Sequence, residues 1–482
     1  MSDPREIVVI GHGMVGSRFV TECRARDPEG QRVRITVVGA ESRGPYNRIL
    51  LSDAVNGRLE ESELALPSTT HANDRVCTGR AVTAVDPQSR RVYLDDGTEL
   101  RYDELVLATG AQPAFPPVRG LVDRQGAPSD GVTALRDLDD CARVRSWARS
   151  GAPLVVLGGG VLGLEAARGL NEAGSRVAVV ESAPWLMRRQ LDRSGADILA
   201  QQLRTLGIDI HTWRVAGRWV PGTGLELDDG RMVPADGIIV TAGVRARTEL
   251  ATAAGLATEH GVLVDDRLAT SAPRVHAIGD CAQHSGGGAG LVAPGWEMAR
   301  ILADQLTGVD PAARYRGARA VTRLKAAGIE LTALGDAEAD AGEQADVTET
   351  VTVADPHGGR YGKLSVRSGH IVGAVLLGFA DAAAAISQLY TEDGVVPADR
   401  LSLLLGLSPT DSSPASSGES DPTVCHCNAV RRSDLESAWL DGARSRAALA
   451  ERTRATTGCG GCTRDVDALV TALGDGAEPV SH

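Results

Sequence analysis

The chain has 482 residues and a formal net charge of −13, and 43% of its residues are hydrophobic while only 3% are aromatic. That length calls for several domains, and the absence of a long basic run argues against a nucleic-acid partner. No apolar run approaches the roughly 20 residues that cross a membrane, and the opening MSDPREIVVIGHG has no signal-peptide pattern, so a cytoplasmic protein is expected.

Residues 7–10 read as a buried parallel strand, and Gly11, Gly13 and Gly16 complete G-x-G-x-x-G before a helix. The first glycine permits a tight turn and the second lets backbone N–H groups close on a pyrophosphate. The third lets helix and strand pack closely. A second strand at 34–39 leads to Glu41, placed to accept from a ribose hydroxyl. The glycine pattern alone is weak; strand, glycines, helix, strand and acid in this order specify a dinucleotide site. The loop from Glu41 through PYNRILLS reads, beside a dinucleotide site, as cofactor-facing in preference to a surface loop with a short helix, and a strand over 102–110 ends in the small pair Thr109-Gly110.

A proline-rich crossing at 113–128 introduces a second unit. Here a strand at 154–157, Gly158, Gly160 and Gly163, a helix over 164–173 and a strand ending at Glu181 repeat the fingerprint. Two complete fingerprints in one chain are far more specific than either alone. Strands at 236–244 and 275–282 return to the first domain, the latter ending at Gly279-Asp280. Asp280 reads as a flavin-ribityl contact in preference to a helix cap. Residues 313–406 carry strand patterns but no chemistry-bearing pattern, and SPTDSSPASSGESDPT reads as a Ser/Pro-rich linker.

The last sixty residues hold Cys425, Cys427, Cys459 and Cys462 in two close pairs. Four thiolates so spaced suit a [2Fe–2S] cluster or a structural zinc site, and a disulfide pair is the third alternative. The one-residue gap of Cys-His-Cys is unusual for zinc, which favours the cluster; His426 is most simply a spacer. Residues 423–464 hold seven arginines against four acids, a local balance of +3, which reads either as an ordinary solvated helical face or as a carrier that docks on an acidic partner.

With these residues in view, residues 1 to about 310 resemble the flavoprotein reductases with two glutathione-reductase-like dinucleotide-binding domains. PYNRILLS, MRRQLD at 187–192, LVAPGWEMARILADQL at 291–306 and TRLKAAGIE at 322–330 resemble the flavoprotein half of NAD(P)H-dependent nitrite reductase large subunits. VCHCNAV with TGCGGC resembles the bacterioferritin-associated-ferredoxin-like [2Fe–2S] domain that follows in those subunits. The resemblance implies an α/β architecture: an FAD-binding domain at 1–120 and 240–312, an NAD-binding domain at 121–239, a small α+β domain at 313–406, a linker at 407–422 and a helical [2Fe–2S] domain at 423–482. It implies that Gly11, Gly13, Gly16, Glu41, Arg48, Thr109, Gly110 and Asp280 line FAD. Gly158, Gly160, Gly163, Glu165 and Glu181 would line the nicotinamide nucleotide.

Two departures bear on function. The chain reaches His482 without the sirohaem and [4Fe–4S] region of a full nitrite reductase subunit, as in electron-transfer subunits of assimilatory nitrate reductase. Relatives of the rubredoxin and ferredoxin reductase type carry a lysine after Arg-x-x-Leu-Ser, where this chain has Asp53. No C-x-x-x-x-C redox disulfide lies near Glu41 either. The expected chemistry is hydride transfer from NADH to FAD and single-electron transfer to the cluster, with no catalytic side chain. Glu181 favours NADH, and Arg188 and Arg189 leave NADPH open. The expected partner is a separate nitrate or nitrite reductase catalytic subunit. A reductase of a ferredoxin-like protein or bacterioferritin, and a redox-sensing adaptor, are the alternatives.

Overall fold

The computed structural model describes residues 3–67, 70–285, 290–338, 348–407, 421, 423–425, 428, 430–458 and 460–475. Strand β1 (Arg5–Ile10) buries Ile7 to Ile10 because parallel neighbours flank it on both edges. It leads into α1 (Met14–Arg26), β2 (Val33–Gly39), a short helix α2 (Leu51–Val55) and β3 (Arg75–Thr78). With β4 (Glu104–Leu107) and the later β10 (Val275–Ala277), these strands form a parallel sheet in the order β10-β4-β1-β2-β3. The order reverses beside β1, so a crevice opens at its carboxyl end, where the first glycine loop sits.

The second sheet repeats this plan. It comprises β5 (Val132–Ala134), β6 (Leu154–Leu157), β7 (Val177–Glu181), β8 (Asp209–Thr212) and β9 (Gly237–Val240), in the order β8-β7-β6-β9-β5. Helix α3 (Leu138–Arg149) precedes it, α4 (Val161–Glu172) follows the glycine loop, and α5 (Arg193–Thr205) follows β7. Helix α4 starts directly after Gly160, earlier than the sequence pattern predicts.

Three expected strands are shorter than predicted, and glycines account for it. The 275–282 segment leaves strand geometry where Gly279 takes φ +76°, and 236–244 breaks before Gly243 at φ +105°. The 102–110 segment keeps only Glu104–Leu107 before Gly110 turns at φ +69°. Each break lies at the carboxyl edge of a sheet, where the chain must turn away from a ligand crevice.

Helix α6 (Val292–Thr307) packs along α1 and closes the first domain. An antiparallel sheet follows: β11 (Val321–Ala326), β12 (Ile329–Gly335), β13 (Thr348–Asp355), β14 (Arg360–Arg367) and β15 (His370–Leu377). Strand β11 alternates half-buried and buried residues, as one covered face requires, and α7 (Ala380–Thr391) packs on β15. One apolar core runs through Leu51 and Val55, Val156 and Leu164, and Leu324 and Tyr361, so the three units share an interior.

The cysteine module has a two-stranded pair, β16 (Thr423–Cys425) with β17 (Val430–Arg431), and helices α8 (Arg432–Leu440), α9 (Arg446–Thr453) and α10 (Thr463–Asp475). Its small core gathers Cys425, Leu435, Trp439, Leu449, Cys462 and Val466. Among the described residues, no helix is long and apolar enough to cross a membrane.

Candidate functional site

The two glycine loops are near copies. A Cβ on Gly11 would stand 2.2 Å from the Ala108 carbonyl oxygen, and one on Gly158 would stand 2.6 Å from that of Thr241. A Cβ on Gly16 or Gly163 would stand 2.0 Å from the carbonyl oxygen of Gly11 or Gly158. Backbone contact therefore dictates the first and third glycine of each loop. A Cβ on Gly13 or Gly160 would meet nothing within 4 Å. The second glycine faces open space at a helix N-terminus, where backbone N–H groups and the helix dipole suit a pyrophosphate. In the first loop His12 Nδ1 is buried without a partner, and burial holds its pKa below the ordinary value. A neutral imidazole with an unmet polar atom fits a cradle that a nucleotide completes.

The acids after the two loops are held differently. Glu41 accepts from the Arg48 guanidinium and, at 2.9 Å, from the Tyr46 hydroxyl. Burial pushes the Tyr46 hydroxyl well above its ordinary range, so it stays a donor. Arg48 also donates to the Arg136 carbonyl at 3.0 Å, and the Arg136 guanidinium pairs with Asp280 at 3.0 Å. Glu41, Arg48 and Asp280 are thus linked through a residue that the sequence did not single out. Thr109 and Gly110 lie beside them, with Thr109 Oγ1 donating to the Arg247 carbonyl at 3.0 Å. Glu181 instead accepts from the backbone N–H of Gly159 at 2.6 Å and of Ala183 at 2.7 Å. Those donors are neutral, and they fix a carboxylate at the mouth of the second loop.

Glu165 is 5% exposed. It accepts from the Lys325 backbone N–H at 2.9 Å and from Ser52 Oγ at 3.3 Å. Burial pushes its carboxyl pKa up, and the Lys325 ammonium pulls it back. Lys325 Nζ donates to the Ile49 carbonyl at 2.9 Å and stands 4.0 Å from Asp53. A lysine from the small domain thus reaches the PYNRILLS segment beside Asp53. Residues 313–406 carry no chemistry-bearing pattern, and the signal for this lysine is its place in TRLKAAGIE. Arg188 pairs with Glu338 at 3.1 Å and lies over the Trp185 ring at 4.3 Å.

In the cysteine module, Cys425 and Cys462 are buried. Cys425 Sγ lies 3.7 Å from Asn428 Nδ2, and Cys462 Sγ lies 3.3 Å from the Thr456 backbone nitrogen. Amide donors aimed at sulfur suit an anionic thiolate-ligated cluster. Cys427, Cys459 and His426 lie outside the described residues. Cys23, Cys77, Cys141 and Cys281 are buried thiols in no disulfide. The cysteine loop rests on the first domain: Asn47 Nδ2 donates to the carbonyls of Thr457 at 2.8 Å and Gly458 at 2.7 Å.

Comparison with known proteins agrees with this layout. The pyridine nucleotide-disulphide oxidoreductase family profile matches residues 5–300, and the rubredoxin NAD+ reductase C-terminal domain matches 321–392. The BFD-like [2Fe-2S] binding domain matches 423–472. Nitrite reductase [NAD(P)H] of Bacillus subtilis is 32% identical over 475 residues, 97% of this chain and 57% of its own length. The assimilatory nitrate reductase electron transfer subunit of the same organism is 30% identical over 476 residues, again 97% of this chain and 59% of its own. The chain therefore spans little more than half the length of these relatives. The ferredoxin reductase of the CYP199A2 system from Rhodopseudomonas palustris superposes with a TM-score of 0.70 at 26% identity, over 81% of this chain and 96% of its own. This chain belongs to the pyridine nucleotide-disulphide oxidoreductase family, as an FAD- and NAD(P)H-dependent oxidoreductase with an appended [2Fe–2S] module.

Proposed function

We propose that this chain is an NADH-oxidising electron-transfer subunit that delivers electrons to a separate nitrate- or nitrite-reducing catalytic subunit. The observation that carries this reading is the seat of the cysteine loop on the flavin-facing segment, where Asn47 holds the Thr457 and Gly458 carbonyls. A Cβ on Gly460 would meet Leu50 of the same segment at 3.4 Å. Likeness to the electron transfer subunit along 97% of the chain supports the acceptor class.

Bound FAD would supply two-electron hydride acceptance from NADH and a bound [2Fe–2S] cluster would supply one-electron onward transfer, while the residues of this chain hold and orient both groups. Gly11, Gly13 and Gly16 hold the pyrophosphate of FAD, while Arg48 and Arg136 organise Glu41 and Asp280 along it. Gly158, Gly160 and Gly163 hold that of NADH, and Glu181 bonds the adenosine ribose and repels a 2′-phosphate. Cys425, Cys427, Cys459 and Cys462 ligate the cluster. No side chain moves a proton in the hydride step.

The test combines the purified chain, NADH, nitrate or nitrite and a candidate catalytic subunit under anaerobic conditions. NADH oxidation that requires both the subunit and its oxyanion is expected. Equal NADH oxidation without the subunit would overturn the reading. A reductase of a free ferredoxin-like protein is the second reading, favoured by the fold likeness to a ferredoxin reductase. NADH-driven reduction of such a protein at a rate above that of the catalytic subunit would select it.

A further inference from the structure

The contact between the cysteine module and the first domain is a built joint. Helix α1 carries Arg18 and Glu22, one turn apart, and the Arg18 guanidinium donates to Glu22 at 2.7 Å. From the module, Arg454 donates to the same Glu22 oxygen at 2.9 Å, and Asn428 Oδ1 accepts from Arg18 at 2.8 Å. Arg26 holds the other Glu22 oxygen at 2.6 Å. Glu22 is 7% exposed, so these bonds form in a poorly solvated place, where a charged pair gains strength.

Asn47 supplies a second, independent anchor. It is 2% exposed, and its own loop occupies its carbonyl oxygen through the Ile49 N–H at 3.0 Å. Its amide hydrogens go to the Thr457 and Gly458 carbonyls. A buried amide whose donors point into another module costs free energy whenever that module is absent without water replacing it. The joint also touches the cysteines. Asn428, held by Arg18, donates to the Arg454 carbonyl at 2.7 Å and lies 3.7 Å from Cys425 Sγ. Other module arginines are engaged at home, Arg432 with Glu436 at 2.6 Å and Arg446 with Asp467 at 2.8 Å. Among the described residues Arg464 also crosses, 3.9 Å from Glu330 at an exposed site, whereas Arg454 meets the buried Glu22 at 2.9 Å.

We propose that Glu22 and Asn47 form a seat for the module's Arg454–Gly458 loop, and that this seat positions the cysteine site for loading from the flavin domain. The inference rests on the electron-transfer reading for its purpose but not for its geometry. Glu22 and Asn47 are positioning residues: they hold the module and take no part in the electron steps. The seat also closes the Arg454 face of the module, so in this arrangement an external acceptor meets its other faces.

The test uses the full-length holoprotein with Arg454→Glu and, beside it, Arg454→Lys. Stopped-flow absorbance follows flavin reduction by NADH and then cluster reduction, while solution X-ray scattering of the oxidised protein reports whether the module is seated. In Arg454→Glu, cluster reduction should slow about tenfold, the equilibrium weight of one charge-assisted hydrogen bond. Flavin reduction should be unchanged and the radius of gyration should rise. Arg454→Lys, which keeps the positive charge that Glu22 accepts, should retain both compactness and cluster reduction, which loss of the arginine's packing alone would not allow. Asn47→Ala is a further variant that leaves every charge in place, and it should raise the radius of gyration in the same direction as Arg454→Glu. Unchanged scattering in both Arg454→Glu and Asn47→Ala would overturn the seat. Slowed cluster reduction with unchanged scattering would also overturn it, because Arg454 would then act on the cluster itself. Parent protein whose flavin NADH does not reduce would sink the electron-transfer reading, while scattering still decides the seat.

Discussion

The two glycine-loop helices place a charged residue at the same position, two residues after the third glycine, and use it in opposite ways. On α1 this is Arg18, which reaches Asn428 of the cysteine module. On α4 it is Glu165, which reaches Ser52 of the flavin domain and the Lys325 N–H of the small domain. Arg18 keeps 15% of its side chain exposed, and polar groups dominate its joint. Glu165 is 5% exposed and borders a core shared by three domains. The first joint is held by polar groups, so its opening costs the bonds to Glu22 and Asn47 and exposes no shared apolar core. The second cannot open without exposing Leu51, Leu164 and Leu324, so the dinucleotide domains and the small domain stay together.

The largest expected effect tests the buried joint. Lys325→Met removes the cation that lowers the Glu165 pKa and leaves the Ile49 carbonyl without its donor, at a cost of about 2 kcal/mol. The sign with pH follows from linkage. Burial raises the folded pKa of Glu165, so its contribution is complete below the unfolded carboxylate value of about 4.3 and is lost as pH rises through the folded value. Lys325 limits that rise, and without it the loss deepens. Urea midpoints should therefore show a larger deficit for Lys325→Met at pH 8 than at pH 5. An equal deficit at both would assign the loss to packing of the lysine stem.

The glycine loops, their acids, the cysteine quartet and the order of modules were legible because each is local. Gly11 and Gly16 meet Ala108 and each other for reasons that any G-x-G-x-x-G after a strand shares. The joints were not legible, because their partners lie far apart in sequence. Asn47 meets Gly458 across 411 residues, and Lys325 meets Glu165 across 160. No periodicity links such positions, and an Asn in a loop or a Lys in an amphipathic strand reads as an ordinary surface residue. Arg136 was invisible for the same reason, since it bridges Arg48 and Asp280 from the start of another domain. The strand ends were overrun because a glycine's sign of φ is set by where the chain must turn, not by its neighbours' hydrophobicity.

The acids offer a second contrast. Glu41 is paired with the Arg48 guanidinium, whereas Glu181 is held by the backbone N–H groups of Gly159 and Ala183. Glu181→Gln keeps an acceptor for those N–H groups and removes the charge. The ratio of kcat/KM for NADH over NADPH should fall about tenfold, the weight of one charged hydrogen bond with its like-charge penalty against a 2′-phosphate. A ratio unchanged in steady-state kinetics would show that selection lies elsewhere in the second site.

The smallest effect is expected at Arg188, and it separates a receptor for phosphate from a structural cation. From sequence, MRRQLD places two guanidiniums just after Glu181, where a 2′-phosphate would need them. In the structure Arg188 is committed: it pairs with Glu338 of the small domain at 3.1 Å and stacks on Trp185 at 4.3 Å. To serve a phosphate it must give up both contacts, and each is worth up to about 1 kcal/mol at a half-exposed site. Those losses offset much of what a solvent-screened phosphate contact returns. Arg188→Ala should therefore change kcat/KM for NADPH by less than about twofold, within the range of an exposed ion pair. The same substitution should lower the urea midpoint slightly through the lost Trp185 contact. A tenfold fall confined to NADPH would show that Arg188 leaves Glu338 when the nucleotide binds. The second glycine site would then carry a movable cation, as the first carries a fixed one in Arg48.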